Sequence, residues 1–454
     1  MSLLNSVSSS APSSSSEPMR KLVSYVELVL ENTPEKAREA LWSEKATLQR
    51  AGTEDMAVGG VGTGGYISTP LLVLVEELLG AGRLAAGSML LAVQAEVLRE
   101  KSHAGGHFVR LADTTLQLLC GEGTPTAVFE MVAKEAAMVA RKLTMLHIGA
   151  GSSAACVRTL RAAAVRLAGS SQLLTPLHMC YMQACAAGGL YPQAFADSGA
   201  WDMLSIKATE HGLTPQDYLQ YFYYCGVVSV AMEAFPAALA HFKQCYLTPA
   251  SSLSEIAREA FKKAALVELL LTGRALATPN YVPVPVSRWA AQTFASLPGY
   301  AQVSAAFGKK NAEALDAALE EHAAVFEADT NLGMALRLPR AMVKHVIRKL
   351  TSTYITLSLS DIARQAGLAD EGEAEALVVD MVGGGEVVAR IDRQSMMVRF
   401  GDDDQEGHAA SEDAADVELL EERLKQAGLV ANRLRGVQLE IMASKSYVRG
   451  SLST

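Results

Sequence analysis

The sequence predicts a mainly α protein: an α-solenoid of helix pairs, a small unit that mixes helices with a β-hairpin, and one last amphipathic helix. Three observations carry this expectation. Half of the 454 residues are hydrophobic but only 6% are aromatic, a mix that suits helices approaching closely over small side chains. Strand-like alternation is almost absent until residue 340, and then comes in three short runs. From residue 417 apolar residues recur three or four apart, the period of one helical face.

Residues 1–18 are serine-rich and nearly free of charge. They predict a disordered tail, since Arg20 alone supplies no basic amphipathic targeting pattern. Residues 19–335 predict the solenoid. A first helix spans 19–50, with Leu22, Val26, Val29 and Leu30 on its apolar side. GGVGTGG at 59–65 interrupts it and contains G-x-G-x-x-G at Gly60, Gly62 and Gly65. A dinucleotide site needs a strand before such glycines and an acidic residue about 20 positions on. EDMAV is a poor strand, so a surface insertion is expected. Thr69 and Pro70 suit the cap and first turn of the next helix pair.

One window carries a helical-hairpin signature, FYYCGVVSVAMEAFPAALAHFKQCYLTP. Phe222, Gly226, Phe235, Ala238, Phe242 and Cys245 fall where tetratricopeptide repeats alternate large and small residues. Small residues let two antiparallel helices approach, and aromatics lock the pair against the next. Tyr191 and Ala194 echo Phe235 and Ala238, so a stack of degenerate helix pairs is expected.

Residues 336–400 change texture. RAMVKHVIRKL places Val343, Val346, Ile347 and Leu350 on one face, and TYITL reads as a short strand. Ser358 and Asp361 have capping-box spacing, so a helix starts there, buries Ile362, Ala363 and Ala366, and ends at Gly367. EAEALVVDMV is a second helix, stopped by Gly383, Gly384 and Gly385. EVVARI and MMVRF are strands around a turn at 392–395. Helix, strand, helix, helix, hairpin is the winged-helix order. Residues 401–416 form an acidic linker, and 417–454 a C-terminal helix and tail. The helix is striped by Val417, Leu420, Leu424, Ala427, Ala431, Leu434, Val437 and Ile441. Gly428 and Gly436 weaken it in isolation by about 1 kcal/mol each, so it needs a partner.

Charge narrows the function. The net charge is -9, and residues 401–416 alone hold seven acids and no Lys or Arg. The body is therefore near neutral, without the basic excess of a nucleic-acid binder. The helix that would enter a DNA groove carries Asp370, Glu371, Glu373, Glu375 and Asp380 and no basic residue, which a polyanion would repel. Arg390, Arg393 and Arg399 on the hairpin fit a solvated or protein-binding face better. Protein contact along the hairpin edge is the expected work of this unit.

Catalytic patterns are missing. There is no H-x-H pair and no H-E-x-x-H helix. His103 and His107 flank two glycines without a third ligand and are expected to form a loop. His178, His241 and His345 stand alone on helices and are expected to pack there. The six cysteines include no C-x-x-C pair and are expected to be buried free thiols. No catalytic residue, metal site or cofactor is expected, and the chain is expected not to be an enzyme. No apolar run reaches the length of a membrane span.

The layout resembles the PCI-domain family, the scaffold subunits of the proteasome lid, the COP9 signalosome and the third eukaryotic translation initiation factor. YITLSLSDIARQAGL, EAEALVVDMVGGGEVVARI, MMVRF, YFYYCGVVSVAMEAFPAALAHF, LTPASSLSEIAREAFKKAALVELLLTGR and HAAVFEADTNLGMA are similar to its COP9 signalosome branch. The resemblance covers roughly residues 170–400 and is loose before residue 150. It implies a non-catalytic subunit of a complex that removes Nedd8 from cullins and so regulates cullin-RING ubiquitin ligases, in nucleus and cytoplasm. The implied partners are the other PCI subunits and the metalloprotease-fold subunits, with cullin-RING ligases as a further candidate and neither nucleic acid nor membrane. A winged-helix contact would fall on Val387, Val388, Arg390, Arg393, Met397 and Arg399, and a helical-bundle contact on the C-terminal stripe. The proteasome-lid position and a winged-helix nucleic-acid regulator are the alternatives.

Overall fold

The computed structural model describes residues 75–76, 78–80, 84–97, 105–169, 173–201, 211–279 and 281–401, and, further on, 424–425, 428, 431–432, 434–436 and 438. The predicted helix at 19–50, the glycine-rich insertion at 59–65, the caps Thr69 and Pro70, and the acidic linker after residue 401 lie outside the described residues. The chain divides into two compact units, between Met342 and Val343.

The first unit is built of helices. Its helices are α1 (Leu84–Val97), α2 (Gly105–Cys120), α3 (Thr126–Met131), α4 (Ala133–Gly149), α5 (Ala154–Ala168), α6 (Pro176–Gly188), α7 (Tyr191–Ala200), α8 (Pro215–Ala231), α9 (Phe235–Leu247) and α10 (Glu255–Thr272). They continue with α11 (Val284–Gln292), a 3-10 turn at Phe294–Ser296, α12 (Tyr300–Lys309), α13 (Ala312–Glu321), α14 (Ala323–Ala328), α15 (Leu332–Ala335) and α16 (Leu338–Thr351). The unit division falls inside α16.

Local chemistry sets these boundaries. Thr214 caps α8 by accepting the Asp217 N–H at 3.2 Å, and Pro215 opens the first turn. Pro suits that position because its missing N–H has no partner there anyway. The α8–α9 pair is the hairpin expected from the repeat signature. A Cβ on Gly226 would stand 2.5–2.8 Å from the Phe242 ring, so only glycine admits this approach. Ala238, Phe242 and Cys245 are buried behind it. Tyr191 and Ala194 sit in α7, and Ala194 is fully buried.

Two hydrophobic clusters run through this unit, one from Val75 to Val228 and one from Ala238 to Met342. An aromatic ladder threads the second. Tyr246 meets Phe261 at 5.1 Å, Phe261 meets Phe294 at 5.0 Å, Phe294 meets Tyr300 at 5.7 Å, and Tyr300 meets Phe326 at 5.0 Å. Edge-to-face and tilted rings at this spacing add to the burial itself. Ion pairs clasp the helices from outside. Arg141 on α4 pairs with Asp217 on α8 at 2.6 Å, and Arg161 on α5 with Asp197 on α7 at 2.6 Å.

One expectation fails here. Gly105, Gly106 and His107 form the first turn of α2, and His107 is 3% exposed. The rest of this sixteen-residue helix outweighs the low propensity of the glycines in its first turn, where few intrahelical bonds depend on them.

The second unit is a winged helix. After α16 come β1 (Thr356–Ser358), α17 (Leu359–Ala366), α18 (Glu371–Gly383), β2 (Ala389–Asp392) and β3 (Met397–Phe400). The sheet order is β1-β3-β2, antiparallel throughout, with Leu357 opposite Val398 and Ile391 opposite Val398 on its other side. Ser358 caps α17 by accepting the Asp361 N–H at 3.1 Å, and Gly367 closes it in a left-handed conformation. Ile347, Leu359, Ile362, Val378, Met381 and Val398 are buried at its centre. Two strands are shorter than the sequence suggests. TYITL becomes strand only at Thr356, and EVVARI only at Ala389.

Candidate subunit interfaces

The winged-helix unit presents its sheet through three short strands. β3 lies in the middle, so its backbone is paired on both sides and only its side chains face outward. Met397 is half-buried and Arg399 exposed on that strand. β2 is one sheet edge and carries the exposed Arg390. Val388 just before it is 56% exposed, whereas Val387 is 8% exposed and packs in the core. Val387 therefore belongs to the core of the unit and not to its exposed edge. Arg393 sits in the hairpin turn and pairs with Glu375 of α18 at 2.7 Å.

The charges of this unit answer one another. Lys344 on α16 contacts Asp380 at 3.0 Å and Glu386 at 2.7 Å, and Arg348 reaches Glu386 at 2.9 Å. Burial would lower the Lys344 ammonium, but its hydrogen bonds to Glu386 and Asp380 outweigh this and raise it. Asp370 is spent capping α18, accepting the Glu373 N–H at 2.7 Å. Asp380 and Glu375 of α18, with Glu386 just beyond it, thus hold Lys344, Arg348 and Arg393, and an acidic helix is a poor face for phosphate.

A groove of about 380 Å³ opens at the end of the sheet, lined by residues 351–355, 386–388, Phe400 and Gly401. Its rim carries Tyr354, Ile355 and Val388, all large and exposed, Ile355 at 74%. The β-prone run TYITL hides Tyr354 and Ile355 inside an expected strand. The register that starts β1 at Thr356 turns them out. An apolar rim beside a free strand edge is a surface suited to another chain.

In the C-terminal stretch Leu424, Ala431 and Leu434 are helical and exposed, Leu424 at 70% and Leu434 at 65%. Val417, Leu420, Ala427, Val437 and Ile441 lie outside the described residues. Among the described residues no group of three or more His, Cys, Asp or Glu could hold a metal ion, and no helix is long and apolar enough to cross a membrane. All six cysteines are free. Five of them are buried, and burial pushes the Cys120, Cys156 and Cys185 thiols up to about 11. His178 is buried and His241 partly so, and burial lowers both imidazoles, His178 to about 4.

Comparison with known proteins matches this architecture. The family model for COP9 signalosome complex subunit 3, N-terminal helical repeats, matches residues 91–286, and the PCI domain model matches residues 319–402. The first begins well ahead of residue 150, where the motif resemblance becomes loose. COP9 signalosome complex subunit 3 of Drosophila melanogaster is 30% identical over 244 residues, 51% of this chain and 54% of the relative. Its counterpart in Dictyostelium discoideum is 30% identical over 227 residues, 50% of this chain and 53% of the relative. The chain thus spans about half the length of the curated relatives it matches. The order of the two matches, subunit 3 helical repeats and then a PCI domain, is the order of the helical unit and the winged helix along this chain.

Proposed function

We propose that the protein is a non-catalytic scaffold subunit of the COP9 signalosome. It would support removal of Nedd8 from cullins, and so regulation of cullin-RING ubiquitin ligases, in nucleus and cytoplasm. The observation that carries this reading is the succession of two family matches along one chain, subunit 3 repeats and then a PCI domain. The geometry supports it. The winged helix pairs Lys344, Arg348 and Arg393 with Asp380, Glu386 and Glu375 and keeps apolar side chains at the end of its sheet. That surface favours a protein neighbour over a polyanion.

In this reading the neighbouring PCI subunit packs on Val388, Arg390, Arg393, Met397 and Arg399 together with Tyr354 and Ile355. The C-terminal stripe joins a helical bundle with the other PCI and metalloprotease-fold subunits. Native mass spectrometry of the full chain mixed with the other PCI subunits tests the proposal. A stoichiometric assembly supports it, and a chain that stays monomeric rejects it.

A further inference from the structure

The second half of the helical unit holds a pocket of about 240 Å³ between α8, α9, α10 and α15, and its wall includes a lysine. Lys263 is 4% exposed, in the apolar run AFKKAALV of α10. Its amine lies 2.5 Å from Asn331 Oδ1, 3.4 Å from Thr330 Oγ1 and 3.5 Å from the Thr330 carbonyl. It also stands 5.9 Å from the centre of the Tyr223 ring. All of these partners are neutral. The nearby carboxylates are taken by Lys262, which contacts Glu259 and Asp329 at 2.6 Å each. Neither of those acids lines the pocket, whereas Arg337 does. Arg337 is shared with the exposed Glu233 at 3.2 Å.

A buried ammonium without a contacting counter-ion is costly, and here burial lowers it to about 8. The rest of the wall is Val227, Val230, Ala231, Phe242 and Met334. Beside it Met232 and Leu336 are exposed, Leu336 at 62%. An occupant must therefore bring one small anion on an apolar stem, with apolar neighbours for the rim. A phosphate dianion would meet a mostly apolar wall and only two cations, one already shared. A carboxylate on methylenes matches both the charge and the lining.

We propose that this pocket receives the carboxylate of a glutamate or aspartate side chain from a partner protein, seated on Lys263 and Arg337. It is a docking point separate from the winged-helix and C-terminal surfaces, and testing it requires no assembled complex.

The experiment titrates the full chain with acetyl-Leu-Glu-Leu-amide and with its Gln counterpart by isothermal calorimetry. The Glu peptide should bind at least about tenfold more tightly than the Gln peptide, the scale of one charge-assisted contact. Lys263→Met should abolish that preference, and Lys349→Met on the surface of α16 should leave it. Should Lys263→Met fail to fold, acetylation of Lys263 in the wild-type chain by an N-hydroxysuccinimide ester, read by peptide mass spectrometry, replaces it. The Glu peptide should then slow acetylation at Lys263 and the Gln peptide should not. Equal binding of the two peptides, no binding of either, or no protection of Lys263 overturns the proposal and leaves Lys263 a structural clasp between α10 and residues 330–331.

Discussion

Gly226 and His178 show how single atoms set this fold. Placing a methyl at Gly226 forces it into the Phe242 ring, which is fully buried and so has little room to move. Alanine usually stabilises a helix interior by about 0.5–1 kcal/mol relative to glycine. At Gly226 that gain should be overridden by an overpacking cost of about 1–3 kcal/mol. Gly308 in α12 has open space around it, so Gly308→Ala should be neutral or stabilising. Urea midpoints of the two variants check this, and equal effects at both sites would contradict the close approach of α8 and α9. His178 gives a pH signature. Its Nδ1 accepts the Thr175 N–H at 3.2 Å in a buried site, T-shaped against Trp201 at 4.7 Å. Burial depresses the imidazole from 6.5 to about 4. The folded chain therefore holds His178 neutral while the unfolded chain protonates it, and stability is full above pH 6.5 and lost as pH falls toward 4. Chemical-denaturation midpoints across that window should fall less in His178→Gln than in the wild type. Identical slopes would contradict a neutral, buried imidazole.

At the scale of elements, much was legible in the sequence because local signals were strong. The Ser358–Asp361 box, the Gly367 stop, the glycines after α18 and the aromatic–small pattern of α8–α9 each act within a few residues of where they are written. What was not legible depends on partners far along the chain. The Lys262–Asp329 and Lys263–Asn331 contacts join residues 67 and 68 apart. Their only sequence trace is two lysines inside an apolar helical run. Tyr354 and Ile355 are exposed and Val387 is buried just outside the short strands, and propensity does not set where a strand begins. The same pattern of exposure makes a prediction for β2 and its neighbours. Val388→Asp should leave the melting temperature of the isolated chain within about 1–2 °C, since surface changes cost about 0.5 kcal/mol or less. It should weaken binding to the neighbouring PCI subunit, measured by surface plasmon resonance, by about tenfold or more, because a charge is then buried in an apolar contact. Unchanged binding would place the contact elsewhere on the unit.

At the scale of the whole molecule, the proposed function gives the chain assembly surfaces of two kinds. One is built into a folded unit, at the edge and end of the winged-helix sheet. The other is a C-terminal stripe whose described leucines face solvent. An isolated helix with exposed leucines gains most of its stability from the partner face it buries, so the stripe should matter for the complex and little for the fold of the chain alone. The proposed function makes this protein a part that holds other subunits together. The most direct test co-expresses the remaining signalosome subunits with either the full tagged chain or one ending at Ala415, and compares what each recovers. If the proposed function holds, the full chain recovers the complex and the shortened chain, folded with an unchanged melting temperature, loses several subunits. Recovery of no subunit by either form would contradict it.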